Sequence, residues 1–238
     1  MSRGGQRRER VPGRSVRKPC GAVGRRLLQI YHALYAAFGP QHWWPADTPE
    51  EVMLGAILTQ NTAWKNVEQA IAALKEAGML SFQHIAALDT GELARLIRPA
   101  RFMNLKARAL QRYAEYFGDR YGYSIRRMQR QPAERLREEL LAVYRIGPET
   151  ADSILLYALA KPVFVIDVYT KRIMSRHGFL SMQRSYADFQ RLFMENLPAD
   201  VSLYNEFHAL LVRTGNLLCK PRPLCDQCPL KKCATHGG

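Results

Sequence analysis

Four of the five cysteines lie close together near the end of the 238-residue chain. They follow the spacing Cys-x5-Cys-x2-Cys-x4-Cys, at Cys219, Cys225, Cys228 and Cys233. Four thiolates in so short a segment repel one another and lose chain entropy unless a metal joins them. In a reducing compartment this cluster favours a metal centre over disulfides, and the spacing fits either a four-thiolate zinc or a [4Fe-4S] cluster.

A tight turn at residues 144–149 joins two apolar stripes with helical spacing. The stripes comprise Leu136, Leu140, Leu141 and Val143 before the turn, and Ile154, Leu155, Ala158 and Leu159 after it. We expect Gly147 to allow a backbone conformation or a close approach that a side chain would forbid, and Pro148 suits the first position of a helix. Exposed amides at such a helix start can hold a phosphate without reading a base. An ordinary helical hairpin has the same periodicity.

The chain is strongly basic, with 35 Lys and Arg against 21 Asp and Glu and a formal net charge of +14. This charge favours a polyanionic partner, with nucleic acid as the leading candidate, through phosphate contacts and counterion release. Seven of the basic residues fall in residues 1–19, but the rest of the chain still holds 28 basic against 20 acidic residues. With neither a long apolar span nor a signal core, we expect a cytoplasmic, nucleoid-associated protein.

Helical periodicity dominates the sequence and predicts an all-α fold. Helices are predicted at 24–38, 49–60, 62–77, 91–97, 104–117, 133–143, 150–159, 168–177, 186–195 and 201–218. The only β-branched run, 163–165, is short enough to be an extended connection between helices. The length fits one globular unit or two small, intimate domains.

Three motifs together carry a family resemblance. Residues 144–155 read YRIGPETADSIL, residues 162–167 read PVFVID, and residues 58–62 read LTQNT. The first two resemble the helix-hairpin-helix and the Gly/Pro-rich loop with catalytic aspartate of the endonuclease III superfamily of DNA glycosylases. The third looks like the family loop whose glutamine fills the gap left by a flipped nucleotide. With the cysteine cluster, the resemblance covers residues 25–233.

The resemblance implies a monomer that acts on double-stranded DNA with a damaged base. It makes Asp167 the catalytic residue, whereas position alone also allows Asp167 to cap the helix after it. Loss of a base develops positive charge on the sugar, which a buried carboxylate stabilises while it can also orient a water. The residues implied to contact DNA are Gln60, Asn61, Arg145, Gly147 and Thr150. Arg145 stands where the family hairpin usually has its first glycine.

Glu149 occupies the position at which bifunctional family members have a lysine. That lysine attacks the sugar and forms a Schiff base, after which the strand breaks. A carboxylate cannot form an imine, so the resemblance implies a monofunctional glycosylase, with Glu149 as a second catalytic residue. Lys161 and Lys171 lie near Asp167 in sequence, but their expected role is that of surface charges.

The two consecutive tryptophans favour one branch of the family. Trp43, Trp44, Pro45 and Trp64 match positions that wall the base pocket of bacterial endonuclease III-like 3-methyladenine DNA glycosylases. An alkylated purine is cationic and stacks well on electron-rich rings. Core packing is the alternative role for these tryptophans.

The resemblance also implies that the cysteines hold a [4Fe-4S] cluster, with zinc as the alternative, although two of the gaps are one residue shorter than is usual in the family. We expect a disordered basic tail at 1–20, a six-helix barrel at 45–161, and an iron-sulfur domain formed by 21–44 and 162–238. Two rival functions stay open. One is a bifunctional or mismatch glycosylase for oxidised pyrimidine, uracil or thymine, and the other is a non-catalytic lesion-binding protein.

Overall fold

The protein is all-helical throughout the described range of a computed structural model, residues 21–230, which contains no strand. Its α-helices are α1 (Ala22–Phe38), α2 (Pro49–Leu58), α3 (Trp64–Glu76), α4 (Phe82–Ala87), α5 (Thr90–Leu96), α6 (Met103–Tyr121), α7 (Ile125–Gln129), α8 (Ala133–Ala142), α9 (Pro148–Ser153), α10 (Val168–Arg176), α11 (Tyr186–Met194) and α12 (Val201–Leu217). The helix α9 continues as a π-helical segment, Ile154–Ala158. The predicted tail at 1–20 and Cys233 lie outside the described residues.

The all-α prediction is confirmed, but several predicted boundaries are wrong. The helix predicted to reach Gln60 ends at Leu58, and the next begins at Trp64 rather than at residue 62. Asn61 between them has a φ of 52°, which a right-handed helix cannot accommodate. Sequence periodicity also missed α4 and α7, because helices of six and five residues carry too few apolar positions to show a period.

Buried side chains form two clusters within the described residues. The first fills the space between α2 to α9 and the π-helical segment, and the second lies between α1, α10, α11 and α12. Residues 162–167 pass between the two as an extended connection, which includes the run 163–165 that was predicted to be one. Val163 packs in the first cluster and Phe164 in the second. Phe164 stacks on Phe193 at a ring-centroid distance of 3.8 Å, which anchors the segment just before Asp167.

A buried carboxylate ties three helices together behind the hairpin. Asp152 of α9 accepts two hydrogen bonds from Arg137 of α8, at 2.7 and 3.1 Å. Its Oδ2 also accepts from the Tyr186 hydroxyl at 2.8 Å and from Gln190 Nε2 at 2.7 Å, both on α11. The Asp152 side chain is fully buried, so its charge depends on these donors.

In the described part of the chain, no helix is long and apolar enough to cross a membrane.

We predict that Asp152→Ala lowers the free energy of unfolding by about 3–5 kcal/mol, because it leaves the charge of Arg137 in a partly buried place without its partner. Urea denaturation measures the change. The matched control is Glu115→Ala, which breaks an exposed pair with Arg112 and should cost less than about 1 kcal/mol. Equal losses in the two variants would show that Asp152 does not join the three helices.

Candidate active site

Asp167 lies at the N-terminus of α10, where the extended segment ends. Its Oδ1 accepts a hydrogen bond from the backbone N–H of Thr170 at 2.7 Å, so the side chain caps the helix. The residue is only 8% exposed. Its second oxygen, Oδ2, faces Nε2 of His208 at 3.9 Å, which is longer than a hydrogen bond. The cap therefore fixes one oxygen and leaves the other directed into the site.

Two further residues of this site, His208 and Tyr157, were missed from the sequence. The Tyr157 hydroxyl and His208 Nδ1 are 2.5 Å apart, and the ring of His208 also meets Phe164 edge-on. Burial lowers the pKa of His208, against the opposing effect of the Asp167 charge. Burial, followed by the charge of Asp167, raises the pKa of Tyr157 well above its usual value. A single histidine and a single tyrosine on apolar helix faces, 51 residues apart, carry no motif.

The three tryptophans form one cluster. Ring-centroid distances are 5.1 Å for Trp43–Trp44, 5.4 Å for Trp43–Trp64 and 5.1 Å for Trp44–Trp64. All three are partly exposed, and Pro45 beside them is exposed. Trp44 also lies 5.4 Å from the ring of Tyr157. Tyr157 and His208 therefore connect the aromatic cluster to Asp167 by an unbroken series of contacts.

Gly55 of α2 makes room for Trp44. A Cβ at residue 55 would lie 3.1 Å from Nε1 and 3.2 Å from Cζ2 of the indole. Such distances are closer than van der Waals contact allows, so a larger side chain would displace the ring. The small residue in α2 thus lets the indole lie directly against the helix backbone.

Glu149 lies in the first turn of α9 and interacts with Asp167 through its charge. Glu149 is exposed by its surface area, yet many protein atoms surround its carboxyl group and partly desolvate it. This desolvation, followed by the charge of Asp167, raises the pKa of Glu149 to about 7. Both neutral and ionised forms of Glu149 are therefore populated near neutral pH.

A hydrogen-bonded contact joins the turn after α2 to the hairpin. Gln60 Nε2 donates to the Arg145 carbonyl and to the Thr150 hydroxyl, each at 3.0 Å. Asn61 and Arg145 both have positive φ, 52° and 62°. The backbone at 145 thus takes the left-handed conformation that favours glycine, although it carries an arginine.

The reason predicted for Gly147 is wrong in one respect. Its φ is −89°, which any residue adopts, and no atom lies within 4 Å of where a Cβ would be. The unusual backbone conformation occurs two residues earlier, at Arg145. A close approach by a ligand to the open space at Gly147 stays a prediction.

A buried lysine supports the turn that carries Gln60. Lys106 of α6 is 4% exposed and donates to the carbonyls of Leu58 and Ala100, both at 2.7 Å. Burial, together with the charge of Arg101, lowers the pKa of Lys106 to about 8. The ammonium satisfies the carbonyl at the end of α2 and so holds the start of the turn.

The described cysteines lie at the end of α12 and in the loop after it. Cys219 is buried, whereas Cys225, the first residue of a short 3-10 turn, and Cys228, which follows that turn, are partly exposed. Arg176 of α10 donates to Sγ of Cys219 at 3.2 Å and to the carbonyl of Lys220 at 2.7 Å. No group of three His, Cys, Asp or Glu side chains within 21–230 is arranged to hold a metal ion. The predicted fourth ligand, Cys233, lies outside that range.

The chemistry of this cysteine loop nevertheless fits a cluster bound by thiolates. A guanidinium that donates to a buried sulfur stabilises negative charge on it, as hydrogen bonds to ligand sulfurs do in iron-sulfur sites. Arg172, also on α10, donates to the Cys219 carbonyl at 2.6 Å. The helix that Asp167 caps therefore also holds the first cysteine in place.

The fold and this arrangement define a helix-hairpin-helix protein with a buried aspartate at the end of its Gly/Pro-rich loop. The profile described as "HhH-GPD superfamily base excision DNA repair protein" matches residues 54–199. A Methanocaldococcus jannaschii protein, named as a candidate DNA repair glycosylase, is 45% identical over 208 residues, which cover 87% of this chain and 94% of the relative. The chain therefore belongs to the HhH-GPD superfamily of base excision DNA glycosylases.

Two solved structures extend the comparison. The 3-methyladenine DNA glycosylase of H. pylori bound to 1,N6-ethenoadenine is 27% identical, with a TM-score of 0.69, and the match covers 81% of this chain and 96% of that one. A trapped endonuclease III–DNA covalent intermediate has a TM-score of 0.77 at 21% identity, covering 89% and 95% of the two chains. The second similarity shows the fold alone.

We predict that Glu149 titrates with a midpoint of about 7 in NMR spectra of protein labelled with 13C-glutamate. Glu149→Gln assigns the resonance, and Asp167→Asn should lower the midpoint because it removes a neighbouring negative charge. Since the pKa is raised on folding, native Glu149 binds its proton more tightly than the unfolded chain does. As the pH rises from 4.5 to about 7, the free energy of unfolding of the wild type should therefore fall relative to that of Glu149→Gln. A midpoint of 4.5 in the wild type would contradict the description of this carboxyl.

Proposed function

We propose that the protein is a monofunctional DNA glycosylase that hydrolyses the N-glycosidic bond of a flipped, alkylated purine in double-stranded DNA. The observation that carries the proposal is the connection of the buried Asp167 carboxylate, through His208 and Tyr157, to a cluster of three partly exposed indoles. The H. pylori 3-methyladenine DNA glycosylase, with a modified adenine bound, supports the choice of substrate.

Asp167 provides the negative charge that the reaction needs. As the base leaves, positive charge develops on the deoxyribose, and a buried carboxylate close to it lowers the barrier electrostatically. Oδ1 is fixed by the Thr170 N–H, so Oδ2 is the oxygen available to the sugar. The low exposure of Asp167 keeps water from screening this charge.

The indole cluster provides the surface for the extruded base. Trp43, Trp44 and Trp64 present electron-rich rings, and Pro45 extends the same wall. A purine alkylated at a ring nitrogen carries positive charge, so it stacks on these rings more favourably than a neutral base does. The alkylated base is also a good leaving group, so the enzyme needs to stabilise the sugar rather than activate the base.

Glu149 completes the chemistry as a proton acceptor. With a pKa of about 7, its ionised form can accept a proton from the attacking water, and its neutral form can retain it afterwards. A carboxyl at this position cannot form an imine with the sugar. The product is therefore an abasic site in an unbroken strand.

The hairpin and the turn after α2 grip the DNA. Gln60 lies against the hairpin through its hydrogen bonds to Arg145 and Thr150. The insertion of Gln60 into the duplex is therefore linked to the binding of a phosphate by the hairpin. Asn61 beside it is exposed. Gly147 leaves open space at the surface for a phosphate, and Arg145 adds a positive charge. The chain acts on DNA as a monomer.

Cys219, Cys225, Cys228 and Cys233 hold a [4Fe-4S] cluster in this proposal. The cluster supplies a rigid link for the loop after α12 and does not take part in hydrolysis. Arg172 and Arg176 bind the first cysteine from α10 and so connect the loop to the helix that Asp167 caps.

The first test uses duplexes that each carry one defined lesion: an alkylated purine, an oxidised pyrimidine, or a mismatched uracil or thymine. We expect the wild type to release the alkylated purine, with strand breakage only after alkali. Asp167→Asn keeps a helix cap but removes the charge, so base release should slow about 10²–10³-fold. Asp200→Asn is the matched control, because Asp200 caps α12 in the same way through the Leu203 N–H.

Other outcomes of this assay would contradict the proposal in distinct ways. Strand cleavage without alkali, with a covalent adduct trapped by borohydride, would show a bifunctional enzyme. Tight binding to a lesion without base loss would show a lesion-binding protein. Release of oxidised pyrimidine, uracil or thymine alone would agree with the proposed type of reaction but contradict the proposed substrate.

The second test concerns the cluster. We predict about four iron atoms per purified chain and a visible absorption band. Cys225→Ser should lose both, whereas Cys20→Ser, at the cysteine outside the cluster motif, should keep both. Zinc in place of iron in the wild type would favour the four-thiolate zinc site.

A further inference from the structure

His208 contacts Tyr157 on the aromatic side of the site and lies 3.9 Å from Asp167 on the other side. It lies on α12 with only 6% of its surface exposed. Its Nδ1 meets the Tyr157 hydroxyl, while Nε2, on the other side of the ring, is buried without a hydrogen-bond partner. The atom nearest to it that carries charge is Oδ2 of Asp167, at 3.9 Å. An unsatisfied buried nitrogen costs free energy, so its placement requires a reason.

The contacts of His208 determine which of its nitrogens carries the proton. Burial, followed by the charges of Asp167 and Glu206, raises the pKa of Tyr157 well above its usual value, so the hydroxyl keeps its proton and can donate it to Nδ1. With the hydroxyl as donor, Nδ1 is the acceptor and the ring proton lies on Nε2. Burial keeps the ring neutral, since it lowers the pKa of His208. The Nε2–H is thus a neutral donor directed towards Asp167.

We propose that His208 is a positioning residue of the glycosylase, oriented by Tyr157 so that its Nε2–H holds the second oxygen of Asp167 towards the deoxyribose. The inference rests on the proposed function. No proton is transferred by His208, which stays neutral and acts through the orientation of the carboxylate. The separation of 3.9 Å closes to a hydrogen bond when DNA fills the site, because such contacts tighten in the reactive complex.

Tyr157 gives this arrangement a connection to the base. The ring of Tyr157 lies against Trp44 and also contacts His208. A purine that stacks on the indoles therefore affects the position of Tyr157, the residue that orients His208. Phe164 meets the same imidazole edge-on from the extended segment. The imidazole on α12 is therefore held by contacts from two other elements, the π-helical segment and residues 162–167.

Paired substitutions separate positioning from packing. The amide nitrogen of glutamine reaches approximately where Nε2 lies, whereas that of asparagine reaches only the position of Nδ1. We expect His208→Gln to keep base release within about threefold of the wild type and His208→Asn to slow it about tenfold or more. Tyr157→Phe keeps the ring against Trp44 but loses the hydroxyl, so it should also slow about tenfold.

The assay is single-turnover release of 7-methylguanine from a duplex, beside the dissociation constant for a duplex with a stable abasic analogue. The dissociation constants of the variants should agree with that of the wild type within about twofold, because the positioning of Asp167 affects the chemical step and not DNA binding. His84→Asn, at an exposed histidine on α4, is the control and should match the wild type in both. A wild-type rate in His208→Asn, or equal losses in the Asn and Gln variants, would overturn the inference.

A second measurement does not depend on the substrate. Long-range 1H–15N spectra of histidine-labelled protein at pH 7 should show His208 neutral, with its proton on Nε2, and Tyr157→Phe should shift its signals. A charged ring, or a proton on Nδ1, would overturn the inference. If the wild type releases no alkylated purine from any duplex, the result contradicts the proposed substrate but not the proposed orientation of His208. The spectra then still test that orientation.

Discussion

The structure depends on one constraint, the burial of a carboxylate at the start of α10. Asp167 has little contact with solvent, so its charge has to be stabilised by the protein. The Thr170 N–H and the positive end of the helix supply that stabilisation at one oxygen. The second oxygen accepts no hydrogen bond from the described residues, and Nε2 of His208 lies 3.9 Å from it. A negative charge held in this way interacts favourably with positive charge brought to it.

The rest of the fold fixes the position of that carboxylate. Phe164 anchors the extended segment in one core, and Val163 anchors it in the other, so Asp167 cannot shift without disturbing both. Asp152 binds α8 and α11 to α9, which holds the hairpin beside the segment. Arg176 fastens the far end of α10 to the cysteine loop. The extended segment thus joins the two cores, and polar contacts fasten the hairpin and α10 on either side of it.

Local patterns were sufficient to predict the helical class and the family, because periodic apolar stripes and the motif ending at Asp167 are contiguous in sequence. The links between them were not predictable. Tyr157 and His208 are separated by 51 residues and meet only through packing. Lys106 looked like one more basic residue until its burial beneath the turn was visible. At Gly147 the residue type suggested a backbone conformation or a close approach that a side chain would forbid, whereas the left-handed conformation belongs to Arg145. The assigned roles of the site residues stay predictions.

The most direct test of the account is a crystal structure of Asp167→Asn bound to a duplex with one alkylated purine. The account predicts that the purine is extruded against Trp43, Trp44 and Trp64, with the anomeric carbon of its deoxyribose beside residue 167 and Gln60 in the vacated space. A purine that stays stacked in the duplex, or one held in a pocket away from residue 167, would contradict it.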